Sequence, residues 1–304
     1  MFLTGFADEA ADDLEGQIQA TRELGWSHIE ARNIGGKNIH DLPQREFEAV
    51  CDKLAASGIR VSCFGSTIAN WGKGIGEPFD TDLQQARRAI PRMRRLGTKL
   101  VRIMSYALLR DDRGRVLEDQ QEAERFRRLR ELSRMFTEAG IVPVHENCMN
   151  YGGMGWSYSL KLLENVPGLK LVFDTGNPVD NDDFTKPEPH PKQSAWEFYA
   201  QTREHIVYVH VKDGIYNPRK KDLDYTFPGQ GHGEVKRIVK DLLDRGYRGG
   251  FSMEPHMAVV FHDASVQSQA RVRYENYVEY GRRFTALLAE IGHPYRPEGG
   301  CGGL

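Results

Sequence analysis

Four polar side chains, each closing an apolar run of strand length, stand out as residues that could do chemistry. They are Glu146 after Ile141–Val144, Asp174 after Leu169–Phe173, His210 after Ile206–Val209, and Glu254 after Gly250–Met253. Two Glu, one Asp and one His make a ligand set for a hard or borderline divalent cation. They can meet only if their strands are parallel and close into a barrel, where all four would reach the same mouth. A cation there would leave positions open to substrate oxygens. Without it, three carboxylates should repel one another and raise their own pKa values, so metal binding and site integrity are expected to be coupled. Glu146 and Glu254 also form a pair. Carboxylates on opposite sides of a bound sugar can exchange a proton at carbon, while the metal polarises the neighbouring carbonyl and stabilises an enediolate.

The elements needed to hold this set are legible along the chain. Extended segments are expected at Leu3–Ala7, His28–Ala31, Ile59–Phe64, Leu100–Met104, Ile141–Glu146, Leu169–Asp174, Ile206–Val211 and Gly250–Glu254. Between them lie stretches of helical spacing, such as Ala123, Phe126, Leu129, Leu132, Phe136 and Ala139 on one face. Gly25, Gly58, Gly97, Gly140 and Gly246 each precede the next strand, where glycine supplies a left-handed helix cap. The alternation predicts an α/β fold, a single (β/α)8 TIM barrel spanning residues 1–292, followed by a mobile, glycine-rich tail at 293–304. The four motif residues are spaced 28, 36 and 44 positions apart (146, 174, 210, 254), one strand per βα unit. Pro91 should kink or restart its helix. The segment Asn177–Gln193, rich in proline and acid, reads as a loop over the site, and Gly214–Gly233 as a second long loop.

Composition narrows the partners. The 304 residues are 39% apolar and 28% charged, and 41 basic against 43 acidic residues give a net charge of −2. That balance gives no reason to expect nucleic acid or an anionic membrane. No apolar stretch approaches the roughly 20 residues of a membrane span, and MFLTGFADEA does not read as a signal peptide. Cys51, Cys63, Cys148 and Cys301 are scattered, as expected of reduced thiols in a cytoplasmic protein.

Other residues could contact a substrate from these strand ends and loops. Trp71 could stack on a sugar face, Arg102, Tyr106 and Glu30 could reach hydroxyls, and His232 could arrive from its loop. Lys212 could bind an oxyanion or pair with Asp213. His145 and His256 should face away from the site by strand alternation. The run Arg87, Arg88, Arg92, Arg94 and Arg95 reads as the solvated face of a barrel helix.

The motifs HEN, FDTGN, HVKD and SMEPH at these positions resemble the xylose isomerase-like barrel superfamily, and more narrowly its sugar phosphate isomerase/epimerase branch. Proteins similar in this way include ketose 3-epimerases, hydroxypyruvate isomerase, inosose dehydratase and barrel subunits of C-glycoside-cleaving enzymes. The resemblance implies one divalent cation on Glu146, Asp174, His210 and Glu254, manganese first, with Mg²⁺, Co²⁺ or Zn²⁺ as alternatives. It implies Glu146 and Glu254 as the acid/base pair. Asn177 stands where ketose epimerases usually carry a histidine, and Lys212-Asp213 follow the metal histidine where they use an arginine. The expectation is a metal-dependent isomerase or epimerase of a small sugar. The alternative is a lyase or dehydratase that eliminates a β-substituent from a keto-sugar, inosose or keto-glycoside. An endonuclease IV-like nuclease would need further histidines where the chain has Glu30-Ala31-Arg32 and Cys63-Phe64-Gly65-Ser66. A non-catalytic sugar-binding barrel is the other rival. A homo-oligomer or a partner subunit is left open.

Overall fold

The computed structural model describes residues 1–260 and 263–297. Eight parallel strands form the barrel: β1 (Phe2–Gly5), β2 (His28–Ala31), β3 (Arg60–Gly65), β4 (Leu100–Ile103), β5 (Val142–Glu146), β6 (Lys170–Asp174), β7 (Ile206–Val211) and β8 (Gly250–Met253). Neighbours in sequence are neighbours in space from β2 to β8, β8 pairs with β1, and a bridge between Phe6 and Glu30 links the first two strands. Helices α1 (Leu14–Glu23), α2 (Gln44–Ser57), α3 (Asp80–Leu96), α4 (Glu122–Glu138), α5 (Trp156–Asn165), α6 (Ala195–Thr202), α7 (Val235–Asp244) and α8 (Ala270–Glu290) cover the outside. Each expected strand is present, with ends shifted by at most two residues. Most of the expected tail and Cys301 lie outside the described residues.

Alternation along the strands divides the core in two. Outward side chains such as Phe173, Val209, Val211 and Phe251 join the buried helix faces, including Phe126, Leu129, Leu132 and Phe136 of α4. Burying each such side chain contributes roughly 1.5–3 kcal/mol. Inward side chains form a separate small cluster of Cys63, Val144, Val172 and Tyr208 inside the barrel. Two residues further along the same faces stand Glu146, Asp174 and His210. The period of two therefore puts an apolar floor directly beneath the polar layer.

All five expected glycine caps have φ between +68° and +87°. Four local expectations differ. Helix α3 runs through Pro91 without interruption, because buried Ala86 and Ala89 before it and Met93 after it share one packed face. Arg92, expected in solvent, is buried there and donates to the carbonyls of Ile39 (2.8 Å) and Leu42. The segment after Asp174 begins with one helical turn, Asn177–Asp180, before its irregular course. The Gly214–Gly233 segment contains an antiparallel hairpin, Gly214–Asn217 with Asp222–Tyr225. Its glycine turn is gathered around the carboxylate of Asp213, which accepts from the amides of Gly214, Gly229, Gly231 and Gly233 at 2.8–3.0 Å.

Candidate active site

The four motif residues converge. One ligand atom from each of Glu146, Asp174, His210 and Glu254 lies within 4.8 Å of every other, and all four residues are buried. Strand register brings them level, with Asp174 opposite His210 and His210 opposite Ser252.

Local bonding orients each group. Asp174 Oδ1 accepts from the amides of Gly176 (2.8 Å) and Asn177 (2.7 Å), capping the helical turn that follows. This explains why a helix starts in a segment whose composition disfavours one. It also leaves Oδ2 to face the site, buried and without a hydrogen bond. His210 Nε2 lies 3.1 and 3.3 Å from the oxygens of Glu30. An ionised carboxylate only accepts, so Nε2 carries the proton and Nδ1 is turned inward, again buried without a hydrogen bond. His210 Nδ1, without a hydrogen bond, and Asp174 Oδ2, met by the Lys212 ammonium at 3.1 Å, form with Glu146 and Glu254 a donor set that a divalent cation would satisfy.

The two glutamates are backed by cations. Arg102 Nη1 contacts Glu146 Oε2 at 3.0 Å, and Asn177 Nδ2 donates to its Oε1 at 3.0 Å. Arg32 Nη1 contacts Glu254 Oε1 at 3.1 Å while its other nitrogens grip Asp8 at 2.8 and 3.0 Å. Both guanidiniums stand over the Phe6 ring, at 4.3 Å for Arg32 and 5.3 Å for Arg102. Lys212 Nζ bridges Asp174 Oδ2 and Glu254 Oε2, at 3.1 Å from each. The alternative of pairing with Asp213 is not what the structure contains, since Asp213 is engaged by the glycine turn.

Of the three carboxyls in the cluster only Asp174 is raised, and burial is the largest cause. Burial pushes Asp174 up to about 6, against the pull of Lys212 and with Glu254 and Glu146 adding to the rise. For Glu146 burial acts upward too, but Arg102 and His210 overcome it and hold it at about 2. Glu254 is held well below the usual range, because Lys212, His256 and Arg32 outweigh its burial. Burial disfavours the His210 imidazolium, yet Glu30 and Glu146 lift it to about 10. Without a cation Nδ1 is therefore protonated as well, and a bound cation would displace that proton.

A cavity of about 240 Å³ opens above this layer, and Trp71, Arg102, Asn177 and Lys212 line it together with Glu146 and Glu254. Three other expected contacts are elsewhere. His232 is exposed, its amide bonded to the carbonyl of Gly214. Tyr106 is buried with its hydroxyl on Asp82 at 2.9 Å, and its φ of +67° turns it away from the mouth. Glu30 is buried under His210 instead of facing substrate. His145 does face outward, to Ser105 Oγ at 3.0 Å. His256 does not: β8 has ended before it, its φ is +53°, and it lines the cavity with Nδ1 2.9 Å from Glu9 and Nε2 3.5 Å from Glu254. Asp8, Glu9 and Arg32 carry no signal in the sequence beyond lying after the first two strands.

These features define a TIM-barrel protein with a buried acidic and imidazole cluster that could hold a metal at the C-terminal ends of its strands. The chain belongs to the xylose isomerase-like TIM barrel family, whose model matches residues 18–275. Solved structures share the fold at low identity. A D-tagatose 3-epimerase-like protein aligns with TM-score 0.69 at 14% identity, over 96% of this chain and 98% of that one. The IOLI protein with a bound zinc atom aligns with TM-score 0.69 at 13% identity, over 96% and 99%. The probable 3-DHS dehydratase AsbF from Bacillus anthracis, involved in petrobactin synthesis, aligns with TM-score 0.66 at 13% identity, over 94% and 99%. No curated protein matches the chain in sequence. Among the described residues no helix is long and apolar enough to cross a membrane.

Proposed function

We propose that the protein is a divalent-metal-dependent isomerase or epimerase of a small sugar, acting by proton abstraction next to a carbonyl. The observation that carries this reading is the convergence of Glu146, Asp174, His210 and Glu254 within 4.8 Å, with the inward Nδ1 of buried His210 lacking any hydrogen bond. Those four residues would hold the cation; manganese is the first candidate. When bound, the cation supplies Lewis-acid polarisation of the substrate carbonyl.

The chain's own groups carry the proton. Glu254 and Glu146 are both held as carboxylates, ready to act as bases at neutral pH. One takes the proton from the carbon beside the carbonyl, the C–H electron pair becomes the C=C bond, and the carbonyl oxygen gains the negative charge of an enediolate. The facing carboxyl, having taken a proton from the hydroxyl on that carbon, delivers it to the opposite face of the carbon as the carbonyl re-forms. The first glutamate returns its proton to the hydroxyl oxygen, which gives an epimer. Delivery of the abstracted proton to the former carbonyl carbon, with the hydroxyl proton passed to the former carbonyl oxygen, gives the aldose–ketose isomer. Arg102 and Arg32 fix the two carboxylates in place through buried ion pairs, and Asn177 adds a hydrogen bond to Glu146.

The test is proton NMR in D2O across ketoses, inososes and keto-glycosides, with Mn²⁺ supplied and then chelated before acquisition. Loss of the signal from the C–H beside the carbonyl supports enolisation, and the product spectrum separates isomer, epimer and elimination product. No exchange in any substrate with metal bound would overturn the reading.

A further inference from the structure

Barrels of this architecture often bind a phosphate group on the loops after the seventh and eighth strands. Here the loop after β7 carries the glycine turn Gly229–Gly233, and successive amides in such a turn form a nest that suits an anion. The chain fills that nest itself. Buried Asp213 accepts from the amides of Gly214, Gly229, Gly231 and Gly233 at 2.8–3.0 Å. A Cβ on Gly231 would stand 2.3 Å from Asp213 Oδ1, so the turn is fitted closely to this carboxyl. The amides that open the helical turn Asn177–Asp180 are taken in the same way, by Asp174 Oδ1.

The cations are engaged too. Arg32, Arg102 and Lys212 line the cavity above the acidic cluster, and each is held 3.0–3.1 Å from Glu254, Glu146 or Asp174. They therefore lie at the floor, where the reacting end of a substrate belongs. Apart from His256, which stands between Glu9 and Glu254, the rest of the lining is uncharged. The loops after β2 and β3 contribute Asn33, Asn38, Thr67 and Asn70 to it. Asn70 accepts from the amide of Gly72 through Oδ1 at 2.9 Å, which leaves its Nδ2 for a ligand. Amides and a hydroxyl match sugar hydroxyls, which both donate and accept. The neighbouring cavity at the mouth holds Arg110, Lys192 and Lys221, but Asp180 and Asp182 line it as well, and Lys192 is 3.0 Å from Asp182.

We infer that the substrate is an unphosphorylated polyhydroxy ketone, whose hydroxyls away from the carbonyl are read by Asn33, Thr67 and Asn70. The inference rests on the sugar reading of the cavity. Isothermal titration of the Mn²⁺-loaded protein with fructose, tagatose and an inosose, each beside its own monophosphate, tests it without turnover. At least one unphosphorylated ligand should bind about tenfold or more tighter than its phosphate. Asn33→Ala and Asn70→Ala should each weaken that ligand about fivefold, the loss of one hydrogen bond, at unchanged Mn²⁺ affinity. A phosphate that binds as tightly as its parent sugar overturns the inference, as does the absence of binding by every unphosphorylated ligand. Wild-type affinity in both asparagine variants overturns the assigned contacts. If a phosphate binds tighter and Lys221→Ala abolishes the gain, the neighbouring cavity is a phosphate site and the inference falls. Solvent exchange on a sugar phosphate in D2O would keep the reaction assigned above and reject this substrate class alone. Failure of enolisation with every sugar would reject the reaction while leaving the binding preference to stand.

Discussion

Glu30 lies directly beneath His210, with its carboxylate oxygens 3.1 and 3.3 Å from Nε2 and its side chain buried in the barrel interior. The contact fixes which imidazole nitrogen carries the proton and turns Nδ1 toward Glu146, 3.8 Å away. A carboxylate behind a ligand histidine raises its basicity and holds its ring, and losing such a partner typically costs 10–100-fold in metal affinity. Glu30→Gln is therefore expected to weaken Mn²⁺ binding by about 10–100-fold, measured by isothermal titration. His210→Ala should weaken it further. Wild-type affinity in both would remove His210 from the ligand set.

Lys212 is the cation that compensates Asp174 and Glu254 in the protein itself. Removing one partner of a buried ion pair costs about 3–5 kcal/mol, since the remaining charge is left uncompensated. Lys212→Met should lower the melting temperature of the chelator-treated protein. Adding Mn²⁺ should then raise it by more than in the wild type, because the cation takes over the compensation. An equal metal-induced shift in both proteins would contradict this.

His145, on the outer face of β5, gives a pH dependence. Burial pushes its imidazole down to about 4, against a small upward pull from Glu146. The unfolded chain binds this proton near pH 6.5 and the folded one does not until about pH 4. Its contribution to stability is thus present above pH 6.5 and is lost as pH falls through 4, on the order of 3 kcal/mol in all. Urea unfolding at pH 7 and pH 4.5 should show a steeper acid loss for the wild type than for His145→Gln. Parallel losses would sink the assignment.

The barrel was legible because its signals are local. Alternation within each strand gave the inward faces, and glycines at positive φ marked the helix ends. The four converging residues were legible for the same reason, since each closes its own strand. What surrounds them was not. Glu30 could be placed near a strand end, but its contact with His210 depends on pairing across 180 residues. Arg32, Asp8 and Glu9 meet Glu254 and His256 only because β1, β2 and β8 are neighbours in the closed barrel. His256 defeated the alternation rule because it sits just past its strand at positive φ, and Tyr106, also at positive φ beyond its strand, is missing from the residues that line the cavity. Capping of the Asn177–Asp180 turn by Asp174 joins local composition to site geometry, and the composition alone argued against a helix.

The most direct test of the account compares wild-type protein with Glu146→Gln and Glu254→Gln in D2O, on the best substrate found in the panel. Mass spectrometry of the product follows deuterium at the carbon beside the carbonyl. The account predicts deuterium in the wild-type product and a loss of about 10²–10⁴-fold in rate for each variant, compared as folded, metal-loaded proteins. A wild-type product without solvent deuterium, or variants that turn over at the wild-type rate, would contradict proton transfer by these two glutamates.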